Sequence, residues 1–144
     1  MMTPAGNEHR PRQGVVAVIM RDSRYLVIRR SQHVRAPGAY CFPGGGVEAG
    51  EAEPEALRRE LKEELSATAR IHERLWQNST PSGVELSWYA ASLTPHSPLV
   101  ANPLEVESIH WLTQAEILQL PGLLATNVDF LAAVTRGEVR LRPA

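Results

Sequence analysis

The sequence predicts one α/β domain in which helices cover both faces of a mixed sheet, an α/β/α sandwich. Three observations carry this reading: β-branched apolar runs paired around turn residues, one strong helix pattern mid-chain, and further strand and helix patterns alternating after it. A length of 144 residues with 43% hydrophobic content suits one core. Residues 1–12 mix Pro, Gly, Glu, His and Arg and read as a flexible terminus; residues 13–144 read as the domain.

The elements follow in order. Residues 14–20 form a continuous β-branched run, and Arg21, Asp22 and Ser23 supply a turn before a second run at 25–29, which predicts a hairpin. Residues 39–42 read as a short strand stopped by Pro43, with Gly44, Gly45 and Gly46 as a flexible loop. Residues 52–65 are rich in Glu, Ala, Leu, Arg and Lys, with Pro54 tolerable in a first turn, and predict a helix. Residues 69–77 and 84–93 predict a second hairpin, and the three prolines of 94–103 an irregular loop. A last strand is expected at 106–112. Thr113 and Glu116 have capping-box spacing for a helix start, and Val128, Leu131, Ala132 and Thr135 suggest a closing helix over 127–135.

Composition narrows the function. With 15 basic and 16 acidic residues the net charge is −1, which offers no field for a nucleic-acid polymer. The longest apolar run near the start is far shorter than the roughly 20 residues a membrane-spanning helix needs, and no export signal is visible. A soluble cytoplasmic protein is expected. The single cysteine, Cys41, reads as a buried strand residue, and His33, His72, His96 and His110 lack ligand spacing. Trp76, Trp88 and Tyr89 read as core packing on strands.

The mid-chain helix carries the chemistry. At about 100° per residue, Leu57, Leu61 and Leu65 form one stripe while Glu60, Glu63 and Glu64 occupy the adjoining sector. Like charges at these spacings repel unless a cation neutralises them, and oxygen-only ligands select hard divalent ions such as Mg²⁺. On the helix alone, a solvated acidic face paired with Arg58, Arg59 and Lys62 is the competing reading. The glycines just before it favour the metal reading, because they let backbone approach an anion without a Cβ in the way.

These residues resemble the Nudix hydrolases, whose signature G-x5-E-x7-R-E-U-x-E-E-x-G-U, with U a bulky aliphatic, runs here from Gly45 through Glu51, Arg59-Glu60-Leu61 and Glu63-Glu64 to Ser66-Ala67. Phe42-Pro43-Gly44-Gly45 and Trp111-Leu112-Thr113 look like further landmarks, extending the likeness over residues 14–135. Two positions depart, since Ser66 replaces the glycine and Ala67 the bulky aliphatic. A serine in the left-handed conformation would cost on the order of 1 kcal/mol and remove no ligand.

The resemblance implies a Nudix-type fold and an Mg²⁺-dependent hydrolase, with Mn²⁺ as a substitute ion. Its metal ligands would be Glu60, Glu63 and Glu64, and its substrate a small nucleotide-like molecule with a diphosphate linkage. Nucleoside triphosphates, oxidised ones included, are the leading subset. Glu63, Glu64 and Glu105 are the catalytic candidates, with Glu107 or a signature glutamate the alternative to Glu105 as proton acceptor. Glu51 and Arg59 would brace the loop. Gly44 and Gly45 would admit substrate phosphate, while Arg30 and Asn127 resemble substrate-contacting positions of the antimutator nucleoside triphosphate pyrophosphohydrolases. For Arg30 the plainer reading is a surface arginine and for Asn127 an N-cap. A catalytically idle domain that senses a nucleotide or nucleotide sugar is the competing function. The chain could act as a monomer or a homodimer.

Overall fold

The computed structural model describes residues 12–141. The strands are β1 (Arg12–Arg21), β2 (Arg24–Arg30), β3 (Tyr40–Cys41), β4 (Gly44–Gly46), β5 (Ala69–Ser79), β6 (Val84–Leu93) and β7 (Val106–Leu112), and the helices α1 (Glu53–Leu65), α2 (Gln114–Leu118) and α3 (Ala125–Thr135). The flexible terminus expected at the start of the chain lies, over residues 1–11, outside the described residues. Arg12, read from sequence as part of that terminus, is in β1 and pairs with Val84.

The sheet runs β3-β2-β1-β6-β5, with β4 added on β1 and β7 on β2. It is mixed, as expected, because β1 and β6 are parallel while the other pairings are antiparallel. Asp22 and Ser23 both take positive φ (52° and 64°), the conformation of a tight two-residue hairpin turn. The hairpin it joins pairs only at Met20↔Tyr25 and Arg21↔Arg24 before the strands diverge. Into that opening comes β4, pairing Gly44, Gly45 and Gly46 with Val16, Val15 and Gly14. The triple glycine is therefore a strand rather than a free loop. Its lack of side chains serves close approach, since a Cβ on Gly44 would collide with the backbone of Val15 and Val16.

Burial on both faces explains the unbroken apolar run of β1. Val15, Ala17 and Ile19 pack with Leu57, Leu61 and Leu65 of α1, whereas Val16 and Val18 face Trp88, Ile117 of α2 and Phe130 and Leu131 of α3. Trp88 is fully buried and stacks on Phe130 with ring centroids 4.5 Å apart. Trp76 and Tyr89 are also packed against the two cores. The closing helix starts at Ala125 rather than Asn127, and its inward face differs from the spacing read in the sequence. Thr126, Asn127, Phe130, Leu131 and Ala133 are buried, while Val128, Ala132 and Thr135 are exposed. The reason is Phe130: docking the largest side chain on Trp88 turns Val128 and Ala132, about 200° away around the helix, toward solvent. Among the described residues no helix is long and apolar enough to cross a membrane.

Candidate active site

The site grows from the register of α1. Its N-terminus is tied to β6 by Glu53, which accepts hydrogen bonds from the Tyr89 hydroxyl (2.7 Å) and the Ser87 hydroxyl (3.1 Å). With Leu57, Leu61 and Leu65 fully buried, Glu64 lies at the margin of the apolar stripe and is itself only 6% exposed. The Gly44 amide donates to Glu64 Oε1 at 3.2 Å, which links the carboxylate to β4. A Cβ on Gly45 would run into the Glu60 carboxylate, so this glycine provides the space that Glu60 fills.

The residue just before β7 is Glu105, and ligand oxygens of Glu60, Glu64 and Glu105 all lie within 4.8 Å of one another. Burial pushes the Glu64 carboxyl up to about 8, helped by the neighbouring charges of Glu60 and Glu105 and opposed by the Gly44 amide and Arg30. Burial also raises Glu60, against the pull of Arg59. Three converging carboxylates with this electrostatic conflict either retain protons or gather a cation. An all-oxygen donor set in this arrangement fits a hard divalent ion. Among the described residues it is the one grouping of three or more His, Cys, Asp or Glu suited to a metal.

Glu63 stands apart from this trio. Its side chain is half exposed, 3.4 Å from the Arg59 guanidinium. Arg59 makes the brace expected of it: two bonds to Glu51 (2.8 and 2.9 Å), one to the Gly46 carbonyl (2.9 Å) and one to Glu60 (2.9 Å). The Arg59 hydrogen bonds hold the Glu51 carboxyl down at about 2. A planar guanidinium spans these acceptors as an ammonium could not, fixing loop and helix in one register.

The structure separates Glu105 from Glu107. Arg29 pairs with Ser108 but Arg30 pairs with Val106, so Glu107 is an extra residue in a β-bulge. Its carboxylate turns to Arg29, 3.0 Å away, while Glu105 joins the cluster. Arg30 Nε donates to the Arg35 carbonyl at 2.6 Å, and the guanidinium also lies beside Glu64 and Cys41. Burial raises the Cys41 thiol to about 11 despite Arg30, leaving it a protonated wall residue.

Asn127 is not an N-cap, since that position belongs to Leu124. Its Oδ1 accepts from the Phe42 amide (2.9 Å) and its Nδ2 donates to the Thr126 hydroxyl (3.3 Å), which leaves one N–H for a ligand. Arg30, Gly44, Gly45 and Asn127 all border a cavity of about 890 Å³ that also reaches Glu60, Glu64 and Glu105. Glu63 is not on its wall. Arg35, in the polar segment after β2, also lines the cavity and was missed from sequence, where nothing distinguishes it from a surface arginine. Ser66 takes φ 54° and ψ 25°, the left-handed exit expected of the missing glycine.

Comparison with known proteins agrees with this geometry. The family model described as NUDIX domain matches residues 9–134. A CTP pyrophosphohydrolase of Escherichia coli (strain K12) is 31% identical over 123 residues, covering 83% of this chain and 87% of that protein. The solution structure of the E. coli ORF135 protein superposes with a TM-score of 0.73 at 29% identity, covering 96% of this chain and 97% of that one. The crystal structure of a MutT protein from Methanosarcina mazei Go1 gives a TM-score of 0.75 at 23% identity, with coverages of 92% and 99%, and so shares the fold.

Proposed function

The chain belongs to the NUDIX family of hydrolases, and from that premise we propose that it hydrolyses the diphosphate linkage of a nucleoside triphosphate, oxidised triphosphates included, with Mg²⁺ or Mn²⁺. The observation that carries this reading is the convergence of Glu60, Glu64 and Glu105 within 4.8 Å on the wall of a cavity of about 890 Å³. A volume in that range suits a small nucleotide. The similarity to a CTP pyrophosphohydrolase over most of both chains supports a triphosphate substrate.

Glu60 and Glu64 would hold the divalent ion, with Glu63 adding charge from the solvent side of the same helix. The ion, when bound, would neutralise charge on the diphosphate oxygens and acidify a nearby water. To hold the ion Glu64 would be ionised, whereas without it burial and its neighbours keep its carboxyl protonated up to about 8. Glu105 accepts the proton of the attacking water at a carboxylate oxygen. Arg30 and the Gly44–Gly45 backbone receive the phosphates, and the remaining Asn127 N–H meets an acceptor on the base or sugar.

The test is a panel of ordinary and oxidised nucleoside triphosphates and nucleoside diphosphate sugars, assayed with and without Mg²⁺ for phosphate and pyrophosphate separately. Hydrolysis in water labelled with heavy oxygen should place the label on a phosphate product. Label found only on a sugar hydroxyl would refute attack at phosphorus. Nucleotide binding without turnover in Mg²⁺ would favour the sensor over the enzyme.

A further inference from the structure

The segment between β6 and β7 carries no signature residue, yet it decides where the Glu105 carboxylate sits. We propose that Asn102 is the positioning residue for Glu105, joining it to the free end of α1 so that the three carboxylates share one frame. The inference rests on the reading of Glu105 as the proton acceptor.

The last carbonyls of a helix lack intrahelical partners, and at the end of α1 two of them, on the residues that also carry the Glu63 and Glu64 side chains, are met by Asn102. Its backbone N–H donates to the Glu64 carbonyl (2.9 Å) and its side-chain Nδ2 to the Glu63 carbonyl (3.3 Å). The same Nδ2 donates to Glu105 Oε2 at 3.1 Å. The Asn102 carbonyl then accepts the Glu105 and Val106 amides at 2.9 and 2.8 Å.

The amide can sit only one way round. Oδ1 accepts the Leu104 N–H (3.1 Å), while the partners of Nδ2 are the Glu63 main-chain carbonyl, which can only accept, and Glu105 Oε2. A flipped amide would lose all three bonds. From the other side, the Ser31 N–H donates to the Glu105 carbonyl (3.0 Å) and the buried Ser31 hydroxyl to the Leu104 carbonyl (2.8 Å). The backbone of Glu105 is thus held by two segments, but its carboxylate is held by Asn102. A proton acceptor displaced by about 1 Å can lose on the order of 100-fold in rate.

The test is a double-mutant cycle on the full chain with Asn102→Ala, Asn102→Asp and Glu105→Gln. Asn102→Asp keeps the acceptor for Leu104 N–H but puts a charged oxygen in place of the donor that faces Glu105, so it keeps the loop bond to Leu104 that Asn102→Ala removes. Kinetics with a nucleoside triphosphate are read beside Mn²⁺ affinity of the substrate-free protein and its thermal midpoint. Each Asn102 variant should lower kcat about tenfold or more with little change in KM. In the Glu105→Gln background the same substitutions should change kcat by no more than about twofold, and Asn102→Ala should leave Mn²⁺ affinity within the same range. Losses that multiply in the double variants would mean that Asn102 merely holds the loop and would overturn the inference. So would wild-type kcat in Asn102→Asp beside a crippled Glu105→Gln. Glu105→Gln at wild-type kcat would instead overturn the role given to Glu105, and the inference with it.

Discussion

Replacing Glu64 by glutamine should make the metal-free protein more stable at pH 8 while destroying its activity. The Glu64 carboxyl, 6% exposed and beside Glu60 and Glu105, keeps its proton up to about 8, against an ordinary value of 4.5. Between those values the folded chain holds a proton that the unfolded chain releases. The stability tied to that proton is fully present below pH 4.5 and is lost as pH rises through about 8. At about 1.4 kcal/mol per pH unit the interval bounds the loss at roughly 5 kcal/mol. Because part of the Glu64 shift comes from the neighbouring charges of Glu60 and Glu105, which can rearrange as it ionises, we expect roughly 2–4 kcal/mol between pH 5 and pH 8.5. That corresponds to a fall in melting temperature of roughly 5–15 °C for a chain of this size. The substituted amide carries no titrating proton and can still accept the Gly44 N–H, so Glu64→Gln should flatten most of this slope. Thermal unfolding from pH 5 to pH 8.5 in a chelator measures it. Adding Mg²⁺ at pH 8 should restore wild-type stability and leave the Glu64→Gln protein unmoved. Equal pH slopes in the two proteins, with or without Mg²⁺, would refute the account of the cluster.

Glu105→Gln should lower kcat by about 100-fold or more with KM nearly unchanged, whereas Glu107→Gln, which loses only a half-exposed pair with Arg29, should keep near-normal kcat in the same steady-state assay. Gly45→Ala should displace the Glu60 carboxylate from β4 and weaken Mn²⁺ binding at least tenfold by titration, with the fold retained by circular dichroism. Ser66→Gly should raise stability in denaturant by about 0.5–1 kcal/mol without altering kcat, because it relieves a left-handed serine on the exposed exit of α1.

What the sequence made legible was what depends on local pattern. The α1 stripe, both hairpins and the Thr113–Glu116 capping box each follow from residues near one another in sequence, while the αL exit at Ser66 was legible only through the glycine of the family signature. The parallel pairing of β1 with β6 and the insertion of β4 do not, because they join segments that only the folded sheet brings together. The same division runs through the site. Periodicity puts Glu60, Glu63 and Glu64 in one sector of α1 but cannot say how far each lies from the sheet, and it is β4 that lies against Glu60 and Glu64 while Glu63 stays half exposed.

Glu105 and Glu107 show the limit most clearly. In a regular strand, residues two apart share a face, and sequence alone must treat the two glutamates alike. One extra residue in β7 opposite the Arg29–Arg30 step removes that equivalence. It sends Glu107 to Arg29 and leaves Glu105 on the side of α1, where Asn102 can reach its carboxylate. A bulge is an agreement between two strands about register, so neither strand's sequence announces it. On the proposal that Glu105 is the proton acceptor, what sets it apart from Glu107 is how β2 and β7 meet rather than any residue in the signature helix. Deleting Ser108 should close the bulge: Glu107 would take the place opposite Arg29 while Val106 stays opposite Arg30, so Glu105 keeps its position and the two glutamates come to share one face. In that deletion variant Glu105→Gln should remain damaging, and Glu107→Gln, near-neutral in the intact chain, should now lower kcat as well. If Glu107→Gln stayed neutral in a folded deletion variant, the bulge would not be what keeps Glu107 from the site.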